Sequence, residues 1–451
     1  MLEVCRSAGA GSGTGPEEAT VTQDGRRGAR GWSTGFWLIA IALGLSVVLA
    51  PGLAAPAWHA HPSAPTGADL TVASHPHDPF TYVSGNPQTY GNFGDSVSVG
   101  GTVVAVGALG EIVSGDAYAG HVYLFSSKTG VLLRTLTSPN AQAYGDFGAS
   151  VATDGKTVVV GAPDETVSGL VDAGRAYVFS VSGTLLTTLV SPAAQTFGGF
   201  GDKVALSGST VVVGAPYETV AGQPGAGHVY VFATSGTLRV TLASPGALYY
   251  GGQRASDFGL ALAITGPTLV VGAPGENTSA GPRAGHAYLF KAKTGALLAV
   301  LSSPNAAAYG YFGISVGISG KTVVVGAYNE TVSGQGTAGR AYAFQAPTGA
   351  LLATFVSPNI QATGYFGASI AISKSTVLVG AYGEIVAGFA YAGHAYTFSV
   401  SGASLATLTS PSPQLQGFFG DTVAMSGSTI VVGASGETAA GFSFAGHAYQ
   451  S

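Results

Sequence analysis

Sulfur and charge are scarce in this chain. It has one cysteine, Cys5, which precedes the one long apolar run. Everything after that run therefore lacks a disulfide framework and a cysteine-based metal site. Charged residues make up only 9% and hydrophobic residues 46%, which excludes a solvated, disordered chain. No basic run occurs beyond the first thirty residues and the formal net charge is −5, so nucleic acid is not an expected partner. What remains must be held by packing and backbone ladders. Glycine is abundant, at 70 residues. With frequent Val, Thr, Tyr and Phe, it points to many short strands joined by tight turns.

The first 57 residues read as an address. Arg26, Arg27 and Arg30 precede an uncharged run from Phe36 to Ala50, and Ala55-Pro56-Ala57 forms a small-residue cleavage pattern. This describes a secretory signal. The rival is a membrane anchor, because the apolar stretch Phe36–Ala57 extends to about 20 residues, enough to span a bilayer. On either reading the arginines stay inside and the rest is secreted or displayed at the cell surface. Residues 58–78 are rich in Ala, Pro and His and read as a linker. Its pairs His59/His61 and His75/His77 lack further ligands and read as a solvated spacer.

From residue 79 to 451 the chain repeats. Phe-Gly recurs with its glycine at 94, 148, 201, 259, 313, 367 and 420. Each copy is followed by a Val-Gly-Ala-x-x-Glu mark, as in Val160 to Glu165. Then comes Ala-Gly-His or Ala-Gly-Arg before an aromatic strand, as in Ala173 to Phe179. One unit reads as four strands, the second continuously apolar and hence covered on both faces. Seven such units of antiparallel sheet predict an all-β, seven-bladed β-propeller. Blade seven lacks a fourth strand at the C-terminus. The segment Phe80–Ser84 has that register, because Ser84 precedes Gly94 by the same interval that separates Ser138 from Gly148. It is expected to complete blade seven as a clasp.

These marks resemble the FG-GAP repeat proteins, which include the propeller of integrin α chains and many microbial surface proteins. The residues that carry the resemblance are Phe147-Gly148 with Gly161-Ala162-Pro163, Phe200-Gly201 with Gly214-Ala215-Pro216, and Phe258-Gly259 with Gly272-Ala273-Pro274. Elsewhere Leu109, Tyr328, Tyr382 or Ser435 replaces the proline. The resemblance implies a propeller and leaves function open. The Asp-x-Asp-x-Asp-Gly calcium loops of integrin blades do not occur, so no metal and no cofactor is expected.

Strand alternation puts two long loop types on one face of the disc, and that face is the expected ligand site. Its rim carries Tyr90, Tyr144, Phe197, Tyr249, Tyr250 and Tyr309, with Arg254 in a blade-four insertion that breaks the symmetry. These aromatics suit stacking on sugars or anchoring a protein. The plain alternative is that each packs under its own loop. Seven acid–cation pairs also recur: Glu111/His121, Glu165/Arg175, Glu218/His228, Glu276/His286, Glu330/Arg340, Glu384/His394 and Glu437/His447. Their equal spacing predicts structural cross-loop pairs that fix loop shape, contributing about 0–1 kcal/mol each at a surface and more where loop amides are tied down, with a sevenfold charged ring around a ligand or metal as the rival. Arginine in two copies argues against a metal ring. Asp164, Glu165 and Asp172 share one loop and are the remaining cation candidate.

Two motif matches are discounted. Gly313-Ile314-Ser315-Val316-Gly317 fits a nucleophile elbow but has no following helix. Gly155-Lys156-Thr157 is a hairpin turn and lacks the earlier glycine of a phosphate loop. Asn277 and Asn329 fit glycosylation acceptors. The expectation is a monomeric exported propeller that binds a glycan or protein partner and is not an enzyme. A purely structural surface module is the main alternative. An enzyme acting on polysaccharide is a weaker one, since sevenfold equivalence offers no pair of unlike carboxylates.

Overall fold

The computed structural model describes residues 80–246 and 256–451. The arginine cluster, the apolar run, the linker histidines, Tyr249, Tyr250 and Arg254 lie outside the described residues. Seven four-stranded sheets form, each antiparallel throughout. Blade two is typical, with strands Ser150–Thr153, Thr157–Ala162, Arg175–Ser180 and Leu185–Val190. The described residues contain no helix, so none there is long and apolar enough to cross a membrane.

The second strand is buried along nearly its whole length in every blade because it has a neighbouring blade on each side. The core is accordingly divided into clusters between adjacent blades. Between blades one and two, Val103, Ala105, Val122 and Leu124 meet Phe147, Val158, Tyr177 and Phe179. Each Phe of Phe-Gly is fully or almost fully buried. Phe147 packs edge-on against Phe179 at 6.2 Å and beside Tyr177 at 5.8 Å. Such pairs contribute about 0.5–1.5 kcal/mol beyond area burial.

The repeat glycines are blade-to-blade contacts. The Phe-Gly glycine has φ between 91° and 100° in all seven copies, a region open to glycine and unfavourable for other residues. Its carbonyl lies against the Val-Gly-Ala glycine of the preceding blade. A Cβ on Gly161 would stand 1.9 Å from the Gly201 carbonyl oxygen, and one on Gly433 would stand 2.1 Å from that of Gly94. The hydroxyl of Ser315 donates to the Gly367 carbonyl at 2.7 Å. Ser96 and Ser369 make the same bond, and Thr422 makes it to Gly94. The serine inside the elbow-like motif is therefore an interblade tie.

The ring closes through the predicted clasp. Phe80–Tyr82 pairs antiparallel with His447–Gln450, with Phe80 opposite Gln450 and Tyr82 opposite Ala448. Tyr82 Oη donates to Gln450 Oε1 at 2.6 Å. Gln450 Nε2 donates to the Ser127 carbonyl of blade one at 2.8 Å. Tyr82, Val431 and Ala448 join Phe93, Val104 and Phe125 in the last interblade core, so the ring needs no residue before Phe80 to close.

Candidate functional site: the long-loop face

The two long loops of each blade are stitched together by backbone. The amide of Tyr144 donates to the Ala117 carbonyl at 2.7 Å, and that of Phe197 to Val171 at 2.8 Å. Tyr90 reaches Ser443, Tyr309 reaches Pro282, Thr363 reaches Gly336 and Gln416 reaches Ala390. Each of these loop-tip residues has φ near 60°, the left-handed region that L-residues seldom adopt. The strained tip is thus held by the loop of the preceding blade.

Beneath the loops lies a four-residue contact repeated around the ring. Glu218 is fully buried and receives three donors. Ser191 Oγ donates to Oε1 and Tyr230 Oη donates to Oε2 at 2.6 Å. His228 Nδ1 lies 2.7 Å from Oε2. The other six glutamates have the same kind of surroundings and are at most 3% exposed. His286 approaches Glu276 as His228 approaches Glu218, at 2.7 Å and well aligned for a hydrogen bond. In blades one, six and seven the imidazole comes as close but off its ring N–H axis. His121 Nδ1 is 2.7 Å from Glu111, His394 Nδ1 is 2.7 Å from Glu384, and His447 Nδ1 is 2.9 Å from Glu437. Arg175 Nη1 stands 3.0 Å from Glu165 and also donates to the Thr166 carbonyl. Arg340 does likewise with Glu330 and Thr331.

This corrects the expectation of surface-strength pairs, for both partners. The side chains of His121, His228, His286, His394 and His447 are only 11–21% exposed, and Arg175 and Arg340 fall in the same range. His394 is buried as a whole residue. The reason is the ring geometry. Each cation opens a third strand directly beneath two long loops, so the loops cover it and its glutamate together. Nor is the contact a simple pair, because the glutamate is a buried hub. The serine that binds it comes from the end of the preceding blade's fourth strand. Ser138 of the blade-one exit loop binds Glu165 of blade two.

Burial pushes the carboxyls of Glu165 and Glu330 up, against the Ser, Tyr and Arg donors that pull them down. It also raises the hub tyrosines, Tyr230 among them, above the usual phenol range. Glu165 is thus committed to the hub. Among the described residues no group of three or more His, Cys, Asp or Glu is placed to hold a metal ion. Both acceptor-motif asparagines are engaged: Asn277 Oδ1 accepts from the Arg283 amide, and Asn329 Nδ2 donates to the Tyr309 carbonyl.

Among the described rim aromatics the three tyrosines are not buried under their own loops. Tyr90 is 54% exposed, Tyr309 52% and Tyr144 39%, while Phe197 is half-buried. Tyr144 stacks on Tyr118 at 5.6 Å and 10°, and Tyr90 stacks on Phe444 at 5.5 Å and 20°. Asp146, Tyr144 and Tyr90 all lie near enough to Tyr118 to help burial raise its phenol. The Gly110 amide donates to the Gly91 carbonyl at 3.2 Å, which joins the Tyr90 loop to the loop that carries Tyr118, so the two stacked pairs stand on adjoining loops over blades seven, one and two. Sequence reasoning named Tyr90 and Tyr144 but missed Phe444 and Tyr118, which stand directly before Ala-Gly in their loops.

The loops around the centre are unlike from side to side. Blades five and six contribute a buried aromatic cluster, with Tyr365 stacked on Tyr382 at 5.2 Å and Tyr311 on Tyr328 at 5.6 Å. Burial and Tyr391 push the Tyr365 phenol up to about 12. Where blade seven meets blade one, Asp95 and Asp421 follow their Phe-Gly marks and repel each other. Asp95 is 8% exposed, and its Oδ2 has no hydrogen-bond partner among the described residues. Burial raises its carboxyl to about 7 despite the nearby Lys203 ammonium. Burial and Asp95 raise Asp421 well above the carboxylate range, although Ser435 donates to it. The sequence reading found no unlike acids. These two do not supply one, since both are buried at the same repeat position and shifted the same way; ring closure brings them together from opposite ends of the repeat series.

The fold defines a closed propeller of seven four-stranded blades. Five stretches match the FG-GAP repeat, at residues 132–179, 186–232, 251–290, 297–344 and 405–449. The chain belongs to the FG-GAP repeat family. The matched unit runs from a fourth strand to the next blade's third. Four of the five stretches thus hold one complete hub, as 132–179 contains Ser138, Glu165, Arg175 and Tyr177, whereas 251–290 starts after its Ser244. No curated protein is similar enough to the chain to match it.

Proposed function

We propose that the protein is an exported ligand-binding propeller whose long-loop face presents aromatic platforms to a glycan or a protein surface. The observation that carries this reading is the neighbouring pair of stacked rings, Tyr90 on Phe444 and Tyr118 on Tyr144, half-exposed on loops that backbone bonds hold rigid. Rigid rings offer contact area at little entropic cost, and their phenol edges supply hydrogen bonds to sugar hydroxyls. Binding is favoured over catalysis because the repeated carboxylates are committed to structural hubs. Export is supported by the arginine-flanked apolar run at Phe36–Ala57. A structural module is the second reading, favoured by the sevenfold equivalence of those hubs.

A glycan array probed with the purified protein tests this, with and without EDTA. Selective, EDTA-insensitive binding that is lost in Tyr90→Ala/Tyr144→Ala at unchanged melting temperature is the expected result. A blank array, or binding indifferent to the double substitution, rejects the glycan platform.

A further inference from the structure

The lysines are segregated on the other face. Lys128, Lys156, Lys291, Lys293, Lys321 and Lys374 stand in or at the mouths of the short turns, and all are exposed. Among the described lysines only Lys203 lies elsewhere, at the start of a first strand near Asp95. Among the described residues Asp154 is the one carboxylate on the lysine side. It is engaged, accepting from the amides of Lys156 and Thr157 at 2.9 and 2.8 Å. The other described carboxylates sit in the long loops or at the strand ends beneath them. The short-turn face is therefore basic, with no free carboxylate among the described residues to offset its lysines.

A second feature coincides with the first. The fourth strand of six blades carries an exposed leucine at its first or second position, just after the short turn. These are Leu132, Leu185, Leu238, Leu297, Leu351 and Leu405, 40–58% exposed. Leucines so exposed at the same place in six blades are not required by the interblade cores, which take their apolar residues from further along the strand, such as Leu136 and Leu189.

The chain also enters here. The clasp strand runs from the short-turn face toward the long loops. A Cβ on Gly130, in the turn that carries Lys128, would stand 2.8 Å from the Phe80 ring. Residues 58–79 alone separate that entry from the apolar stretch Phe36–Ala57.

We infer that the short-turn face docks on an anionic lipid surface. The lysines pair with headgroup phosphates and the edge leucines enter the boundary between headgroups and acyl chains. Charges spread round a disc over blades one, two, four, five and six match a planar array of anions. A soluble polyanion would leave the leucines with nothing to bury in. Lysines near an anionic membrane and buried apolar side chains each add to such binding. The inference concerns a different face from the aromatic platform and does not depend on it.

The test is sedimentation of residues 79–451, a stretch that closes the ring by itself, with lipid vesicles. One set is phosphatidylcholine alone and the other contains phosphatidylglycerol. Binding to the anionic set only, weakened by added salt, is expected. Lys291→Gln/Lys293→Gln/Lys321→Gln lowers the affinity about tenfold or more. Leu351→Ser/Leu405→Ser lowers it at unchanged melting temperature. Tyr90→Ala leaves it intact, which separates this face from the other. Equal binding to both vesicle sets, or capture by heparin with none by vesicles, overturns the proposal.

Discussion

At the scale of single residues, the hub glutamate and the Asp95 carboxyl are buried on opposite terms. Glu218 is ionisable, buried and fully partnered. Removing it strands His228, Tyr230 and Ser191 together, and breaking a buried pair destabilises by about 3–5 kcal/mol. Glu218→Ala should lose that much in urea denaturation, and a loss under about 1 kcal/mol would return the pair to surface strength. Asp95 is buried with one oxygen unpartnered. Its folded value, about 7, lies above the ordinary aspartate value of 3.8, so the folded protein holds that proton more tightly than the unfolded chain. Its contribution to stability is complete below about pH 4, is lost as pH rises toward 7, and is flat beyond. Glu165 and Glu330, also raised, add in the same direction. The melting temperature should fall from pH 5 to pH 8. Asp95→Asn should be more stable than wild type at pH 8, because the amide puts no charge into the buried site. A melting temperature independent of pH, or a destabilised Asn variant at pH 8, would refute this account.

At the scale of elements, the strands were legible because each mark serves a local geometry. Phe-Gly announces a buried ring and a left-handed glycine. Val-Gly-Ala announces a strand that a neighbouring carbonyl approaches too closely for a side chain. Both recur at nearly constant intervals, so blade number and strand order could be read from the residues alone. The hub was half legible. Glu and its His or Arg flank one loop, whereas Ser191 belongs by sequence to the preceding blade. Tyr230 reads as a core aromatic of the third strand. Serine at 27 residues before the glutamate, and tyrosine at 12 after it, were the available signal. Only in blade four is the serine interval longer, at 32 residues. The depth of the glutamate and of its cation was not legible, because a carboxylate beside a histidine such as His121, His286 or His394 reads by default as a surface pair. The stacked rings were missed as pairs because Tyr118 and Tyr144 belong to different loops, which only the fold brings together.

At the scale of the whole molecule, closure is the central device. Six interblade seams join blades that follow one another in sequence, and the seventh joins the two ends of the ring. Deleting Phe80–Ser84 removes the clasp strand, the Tyr82–Gln450 bond and the Ser84 donor to Glu111. It also leaves the His447–Gln450 edge of blade seven open. Thermal unfolding of that variant should shift down sharply, whereas an unchanged transition would mean that the ring is held by its other seams. The basic face is also a whole-molecule property, since no single blade carries enough lysines to define it.

The clasp has a consequence for how the protein comes into being. Tyr82 is among the first propeller residues synthesised, and its partner Gln450 follows 368 positions later. Blades two to six can assemble in order as they emerge, each on the one before. Blade seven cannot be completed until Gln450 has been made, and until then the nascent protein is an open arc with an unpaired strand at its leading end. The final seam is the most non-local contact in the molecule, which makes it the slow step on topological grounds. Throughout that interval the arc is also the species most exposed to pairing with another copy of itself.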